Sequence, residues 1–179
     1  SVKRLSPAYQ QGTHSYTISP NGQFAKHVFS NINIAPISEW VKLPTHETIG
    51  AANVVKKITT TVPQKNSPQF FKVTTSEGVT MDAWMVKPAN FDSTKKYPIV
   101  FFVYTEPWGQ TAKDEYGTGY NYLYSSSMAD DGYIYVSMDN RGTPVPKGRE
   151  WRKSVYQKIG DVNIRDQALG ALEIFKFSF

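Results

Sequence analysis

The sequence contains no cysteine, which excludes disulfides, thiolate nucleophiles and cysteine-based metal centres but leaves the redox compartment open. No apolar run approaches the ~18 residues that a membrane-spanning helix needs. The first residues, Ser1-Val2-Lys3-Arg4, begin no signal-peptide pattern. Charge of one sign is nowhere concentrated: 20 Lys and Arg against 15 acidic residues give a formal +5, yet no basic run is longer than Lys56-Lys57 or Lys95-Lys96. Nucleic-acid binding needs clustered basic residues, so no nucleic-acid partner is expected. Histidine is scarce as well. His14, His27 and His46 stand neither at i, i+4 nor beside a carboxylate at ligand-like spacing, so no metal site and no cofactor are expected.

What is present is enough for a sizeable core, with 40% hydrophobic and 14% aromatic residues in 179. The chain is organised around the stretch from Tyr97 to Gln110. Ile99 to Val103 are five unbroken apolar residues between Pro98 and the breakers Pro107 and Gly109. That run is too short for a helix and too apolar for a one-sided strand, so it reads as a strand buried on both faces of a parallel sheet. It ends in Tyr104, at the kind of carboxyl end where open α/β sheets gather their chemistry.

Before that strand, residues 1–50 read as antiparallel β pieces: Thr13 to Ile18, the turn Ser19-Pro20-Asn21-Gly22, Phe24 to Asn31, a loop around Ala35-Pro36, and Glu39 to Leu43. They resemble one unit of a repeated β fold. Residues 51–67 turn polar and Thr-rich and read as a linker. From residue 68 a second hairpin pairs Phe70–Thr75 with Met81–Lys87 through Ser76-Glu77-Gly78. After Tyr104 the spacing of Tyr120, Leu123, Tyr124 and Met128 predicts a helix to Ala129. Tyr133 to Met138 is a further buried strand, and Pro144 to Trp151 a loop. Asp161 is expected to cap a helix from about Val162 to Lys176 whose core face is Ile164, Ala168, Leu172 and Phe175. The fold class expected is α/β, an antiparallel β piece followed by an incomplete sheet with flanking helices. Such a sheet should leave Tyr133–Met138 as an unpaired edge, and unpaired edges recruit other chains, so self-association as a homodimer is expected.

The run Asp139-Asn140-Arg141-Gly142-Thr143-Pro144, continued by Gly148-Arg149-Glu150-Trp151-Arg152-Lys153 and preceded by Val103-Tyr104-Thr105-Glu106-Pro107-Trp108-Gly109-Gln110, resembles the bacterial dipeptidyl peptidase IV group of the prolyl oligopeptidase family of serine peptidases. The resemblance implies that residues 1–50 end a β-propeller, with His14 to Leu43 as its last blade, and that residues 68–179 are the N-terminal half of an α/β-hydrolase domain. It implies that Tyr104 donates one hydrogen bond to the oxyanion hole. It also implies an intact enzyme that releases N-terminal dipeptides with Pro or Ala second, in a periplasmic or secreted setting. The α/β-hydrolase order is Ser, then Asp or Glu, then His, with the Ser in a G-x-S-x-G elbow. No such run occurs here, Ser125-Ser126-Ser127 lack flanking glycines, and all three histidines precede the sheet. The expectation is therefore a fragment that stops before the nucleophile elbow and is catalytically silent. Asp139 is rejected as triad acid on chain order. Arg141 is taken as a structural partner of carboxylates or carbonyls, Gly109 and Gln110 as shaping the loop, and Arg149, Glu150 and Trp151 as a packed loop. The alternative is a non-catalytic module that binds a peptide or glycan through Trp40, Trp84, Trp108 and Tyr116, although burial of these aromatics in the core or at a propeller interface is the expectation.

Overall fold

The computed structural model describes residues 3–50 and 66–177. The linker expected over 51–67 falls, as far as residue 65, outside them. The chain divides into two compact units, Ser1–Gln64 with Lys113–Thr118, and Lys65–Ala112 with Gly119–Phe179. Both are described in turn; together they make a mixed α/β chain with one antiparallel and one mixed sheet.

The first unit is a four-stranded meander of β1 (Thr13–Ile18), β2 (Phe24–Asn31), β3 (Ile34–Lys42) and β4 (Glu47–Ile49), each antiparallel to the next. The Asn21-Gly22 turn closes the first hairpin as expected. Gly22 takes φ +68°, and its N–H donates to the Ser19 carbonyl at 2.8 Å while Ser19 N–H donates to Phe24 O at 2.9 Å. Alternation then sends Ala25, His27, Phe29 and Val41 to one buried face. The loop expected at Ala35-Pro36 is absent, because β3 runs straight through it. Pro36 is tolerated there since the register between β2 and β3 slips between Phe29 and Asn31, where a missing N–H costs no ladder bond.

The second unit is a sheet in the order β5-β6-β8-β7, formed by β5 (Gln69–Thr74), β6 (Thr80–Val86), β7 (Ile99–Phe102) and β8 (Ile134–Asp139). β5 and β6 are the expected hairpin. β6 continues antiparallel onto β8, and β7 lies parallel to β8 on its other side. Met81, Ala83 and Met85 join Val73, Ile134, Val136 and Met138 in one cluster, while Trp84, Val86 and Tyr135 build a second. All six residues of β8 are buried.

Four expectations are corrected here. The strand over Tyr133–Met138 is not an edge, because the β6 hairpin strand docks on one flank of β8 and β7 on the other. The outermost strand on that side is β7, whose four residues are only half-buried, with Val103 exposed beyond it. No helix forms over Tyr120–Ala129. Gly119 takes φ +88°, Asn121 Oδ1 accepts the Leu123 N–H at 2.9 Å, and this local side-chain turn competes with helical bonding. The result is a succession of turns with Tyr120, Tyr122 and Leu123 exposed. Conversely, a short helix α1 (Gly148–Lys153) occupies the expected loop, with Trp151 packed on the core and Arg149 and Glu150 exposed.

The last correction concerns α2 (Val162–Ile174), which exists as expected but faces the other way. Ile164, Leu172 and Phe175 are exposed, whereas Asn163, Asp166, Gln167, Gly170 and Ile174 are buried. The Asp161 side chain makes no cap hydrogen bond. Gly170 lets the buried face approach the sheet closely: a Cβ there would come within 2.5 Å of Met81 Cε and 2.8 Å of Met138 Sδ, and both methionine ends would have to shift.

Candidate functional site

Because β7 and β8 are parallel, the chain leaves both at the same end of the sheet, where Tyr104 and the run Asp139-Asn140-Arg141 emerge. Tyr104 lies two residues past β7 and is 37% exposed. Its ring lies so close to Gly109 that a Cβ there would overlap it, and Gly109 N–H closes a turn onto Glu106 O at 3.2 Å. The Tyr104 hydroxyl has no hydrogen-bond partner among the described residues.

The loop behind Tyr104 is anchored by Asp139, the last residue of β8, which has no exposure. Its Oδ1 accepts from Thr111 N–H at 2.8 Å and from the Thr111 hydroxyl at 2.9 Å, and its Oδ2 from Ala112 N–H at 2.9 Å. The Ser137 hydroxyl extends the network, donating to Phe102 O at 2.7 Å with Thr111 Oγ1 2.8 Å away. Burial pushes the Asp139 carboxyl up against the downward pull of these donors. Both of its oxygens are engaged in holding the loop. Gln110 shapes the same loop, donating to Ala112 O at 3.1 Å.

Arg141 is the structural partner expected of it. Its backbone N–H donates to Asp166 Oδ2 at 3.0 Å, and its guanidinium grips the same carboxylate through Nε at 3.0 Å and Nη2 at 2.7 Å. Gln167 Nε2 donates to Met138 O at 2.8 Å and to Asn140 Oδ1 at 2.9 Å. The buried polar face of α2 is thus the receptor for the turn after β8. Gly142, at φ +94°, sits where a Cβ would come within 2.6 Å of Val155.

The histidines, which the spacing left apart, are brought together in the first unit. The register opposes Tyr16 to His27 and His27 to Glu39 across β1, β2 and β3, so all three share one face. His27 Nδ1 is 2.8 Å from Glu39 Oε1, and His46 Nε2 is 3.3 Å from the same oxygen. His14 Nδ1 lies 2.9 Å from His27 Nε2, while His14 Nε2 donates to Gln10 O at 3.0 Å. Tyr16 Oη is 2.9 Å from His46 Nδ1, and the Thr48 hydroxyl donates to Glu39 Oε2 at 2.7 Å. Burial pushes the His27 imidazole down, with the Glu39 hydrogen bond opposing it. Burial also pushes Glu39 up, but hydrogen bonds from Thr48, His27 and His46 bring it below the usual carboxylate range. The Tyr16 phenol is pushed up by burial and then by the charge of Glu39. The signal that could have found part of this cluster is the hairpin turn, which fixes Ile18 opposite Ala25 and hence, by counting, Tyr16 opposite His27.

Of the aromatics considered for binding, only Trp84 is in the core, 3% exposed, with Nε1 donating to Thr111 O at 3.1 Å. Trp40, Trp108 and Tyr116 are exposed, so of the four expected in the core or at a propeller interface only Trp84 lies in the core of this chain.

Comparison with known proteins agrees with the sequence motifs. Residues 118–177 match the prolyl oligopeptidase family. Mouse dipeptidyl peptidase 8 is 26% identical over 164 residues, covering 88% of this chain and 18% of that protein. A probable dipeptidyl-aminopeptidase B of Ajellomyces capsulatus is 35% identical over 99 residues, covering 55% of this chain and 10% of that protein. The crystal structure of Porphyromonas gingivalis dipeptidyl peptidase 4 superposes with a TM-score of 0.77 at 24% identity, over 94% of this chain and 24% of that one. A putative dipeptidyl aminopeptidase IV from Bacteroides ovatus gives 0.76 at 22% identity. The chain therefore spans under a fifth of the curated relatives it matches, and its fold is that of the corresponding part of the two solved structures. The shared motif run, the family match over residues 118–177 and these relatives together make the chain similar to the prolyl oligopeptidase family, and within it to the dipeptidyl peptidase IV-like proteins.

Proposed function

We propose that this chain is part of a serine exopeptidase that releases N-terminal dipeptides with Pro or Ala second through an acyl-enzyme, and that Tyr104 is one donor of its oxyanion hole. In this reading residues 14–43 are a propeller blade and the second sheet is the first half of an α/β-hydrolase domain. The observation that carries the assignment is the setting of Tyr104. It stands past the carboxyl end of a parallel strand, partly exposed, its hydroxyl unengaged among the described residues and its ring backed by Gly109 on a loop that Asp139 anchors. A phenol held in this way can be aimed where negative charge develops in a tetrahedral intermediate, and removing one such donor typically costs ~10²–10³ in rate.

The chain alone is proposed to be silent, since it has no G-x-S-x-G run and no histidine after His46. Incubated with a Gly-Pro anilide, it should give no turnover above buffer and take no label from a fluorophosphonate. Turnover that survives purification to homogeneity would sink the account of the missing triad. In a longer product of the same coding region that does hydrolyse the anilide, Tyr104→Phe should lower kcat about 10²- to 10³-fold with little change in KM. An undiminished kcat there would remove Tyr104 from the oxyanion hole.

The exposure of Trp40, Trp108 and Tyr116 favours a second reading, a module that binds a peptide or glycan. Titration with a proline-containing peptide or an oligosaccharide should then quench indole emission saturably, and an unchanged spectrum ends that reading. Self-association is proposed through β7, which pairs only with β8 among the described residues and so offers an open edge. A light-scattering mass of one chain at high concentration would refute it.

A further inference from the structure

We propose that His27, Glu39 and His46 form a buried three-ligand site for a divalent transition-metal ion of the zinc class, with His27 Nδ1, His46 Nε2 and Glu39 Oε1 as ligands. These are, among the described residues, a set whose ligand atoms all lie within 4.8 Å of one another. They come from β2, from β3 and from the turn between β3 and β4. Zinc takes nitrogen and carboxylate ligands at about 2.0–2.2 Å, so tetrahedral neighbours stand about 3.3 Å apart. The His46–Glu39 separation of 3.3 Å meets that spacing, and the His27–Glu39 separation of 2.8 Å requires only a small withdrawal of the carboxylate.

The hydrogen-bond inventory points the same way. Both imidazole nitrogens address one carboxylate oxygen, and a carboxylate oxygen only accepts. If His27 Nδ1 donates to Glu39, a neutral His27 must accept at Nε2, and His14 Nδ1 must supply that proton. Yet His14 Nε2 already donates to the Gln10 carbonyl, which also only accepts. The ion-free network therefore needs two N–H groups on one of these two rings, although His27 has no exposure. A cation removes the conflict. With the metal on His27 Nδ1, the neutral ring donates from Nε2 to His14 Nδ1, and His14 donates onward to Gln10. With the metal on His46 Nε2, the Nδ1–H donates to Tyr16 Oη.

The remaining atom of each ligand is thus already held: His27 by His14, His46 by Tyr16, and Glu39 Oε2 by Thr48. Metal-ligating side chains characteristically have such outer partners, which fix tautomer and orientation. The ligand side chains are 7% exposed or less, so the three-ligand set is shielded, its fourth position left to a non-protein ligand, beside the turn that carries the exposed Pro44 and Thr45. This inference concerns the first unit and does not depend on the peptidase reading.

The test uses the 179-residue chain after EDTA treatment and buffer exchange, titrated with Zn²⁺ against a chromophoric chelator and separately with Co²⁺. Stoichiometric binding of one ion per chain is expected, with visible Co²⁺ bands of tetrahedral intensity and a Zn²⁺-dependent rise in Tm. Glu39→Gln, which keeps size and acceptor, should abolish the bands and the rise. Tyr16→Phe removes only an outer hydrogen bond and should keep the stoichiometry while weakening affinity about 10- to 100-fold. No competition with the chelator, or binding that Glu39→Gln leaves undiminished, overturns the proposal and reduces the cluster to a hydrogen-bonded weld between strands.

Discussion

Replacing Arg141 by methionine tests how the turn after β8 is held. Asp166 has no exposure and receives its hydrogen bonds from Arg141, through one backbone N–H and the guanidinium fork. Methionine fills much of the arginine stem's volume but leaves the carboxylate buried with a single backbone donor. Breaking a buried pair from one side costs about 3–5 kcal/mol, because the surviving charge is left uncompensated. Against a typical domain stability of about 5–15 kcal/mol, that is a large share. With a urea slope of roughly 2 kcal/mol per molar, the midpoint should fall by about 2 M. The informative comparison is Arg141→Met with Asp166→Asn. Asparagine keeps an acceptor for the Arg141 N–H and removes the stranded charge, so the double variant should be more stable than the single Arg141→Met, within about 1–2 kcal/mol of the parent. Urea unfolding followed by indole emission reads this, since Trp84 lies in the same sheet's core. The reasoning is refuted if Arg141→Met costs under about 1 kcal/mol, or if the double variant is no more stable than the single.

Asp139 carries a pH signature. Its folded carboxyl is raised above the ordinary 3.8, so the folded state binds the proton more tightly than the unfolded state, and this group's contribution weakens as pH rises through the folded value. Relative to Asp139→Asn, the parent should gain stability as pH falls from neutrality into the carboxyl range; paired urea curves that stay parallel would contradict this. Gly109→Ala should drive the Tyr104 ring from its place, costing about 1–3 kcal/mol and increasing nitration of Tyr104 by tetranitromethane as read by peptide mass spectrometry. Gly142→Ala combines a left-handed backbone at φ +94° with an overlap on Val155 and should cost about 1–3 kcal/mol; a midpoint within error of the parent would show that Val155 yields freely. Acrylamide should quench Trp108, 72% exposed, and Trp40, but spare Trp84, which single-tryptophan variants can resolve; a readily quenched Trp84 would contradict its place in the core.

Much of the fold was legible because it is local. The Asn21-Gly22 and Gly78 turns, the alternation around them and the largely apolar run of β8 each state their structure within a dozen residues. Strand order is not local. The five apolar residues from Ile99 to Val103 predict burial on both faces, but nothing in them says that β6 will occupy the far flank of β8 and leave β7 outermost. The segment from Tyr120 has helical spacing, yet spacing is silent about the Asn121 side chain, whose bond to the Leu123 N–H favours a turn.

Helix α2 shows why the site was harder to read than the sheet. Its apolar stripe of Ile164, Leu172 and Phe175 satisfies the rule for a core-facing helix, but the buried stripe is Asn163, Asp166, Gln167 and Gly170. Each of these polar residues has a bond that compensates its burial, to Gly160 N–H, to Arg141, and to Met138 O with Asn140, respectively. Hydrophobic periodicity counts a residue as polar without knowing whether a partner waits for it, and so it fails where a helix is docked by hydrogen bonds rather than by hydrocarbon. The histidine cluster fails to announce itself for the same reason. His27 and Glu39 are 12 residues apart and become neighbours only through the register of β2 on β3, which slips between Phe29 and Asn31. Reading such sites from sequence therefore requires the register first: a turn that fixes one pair, then arithmetic along both strands to find which polar residues share a face.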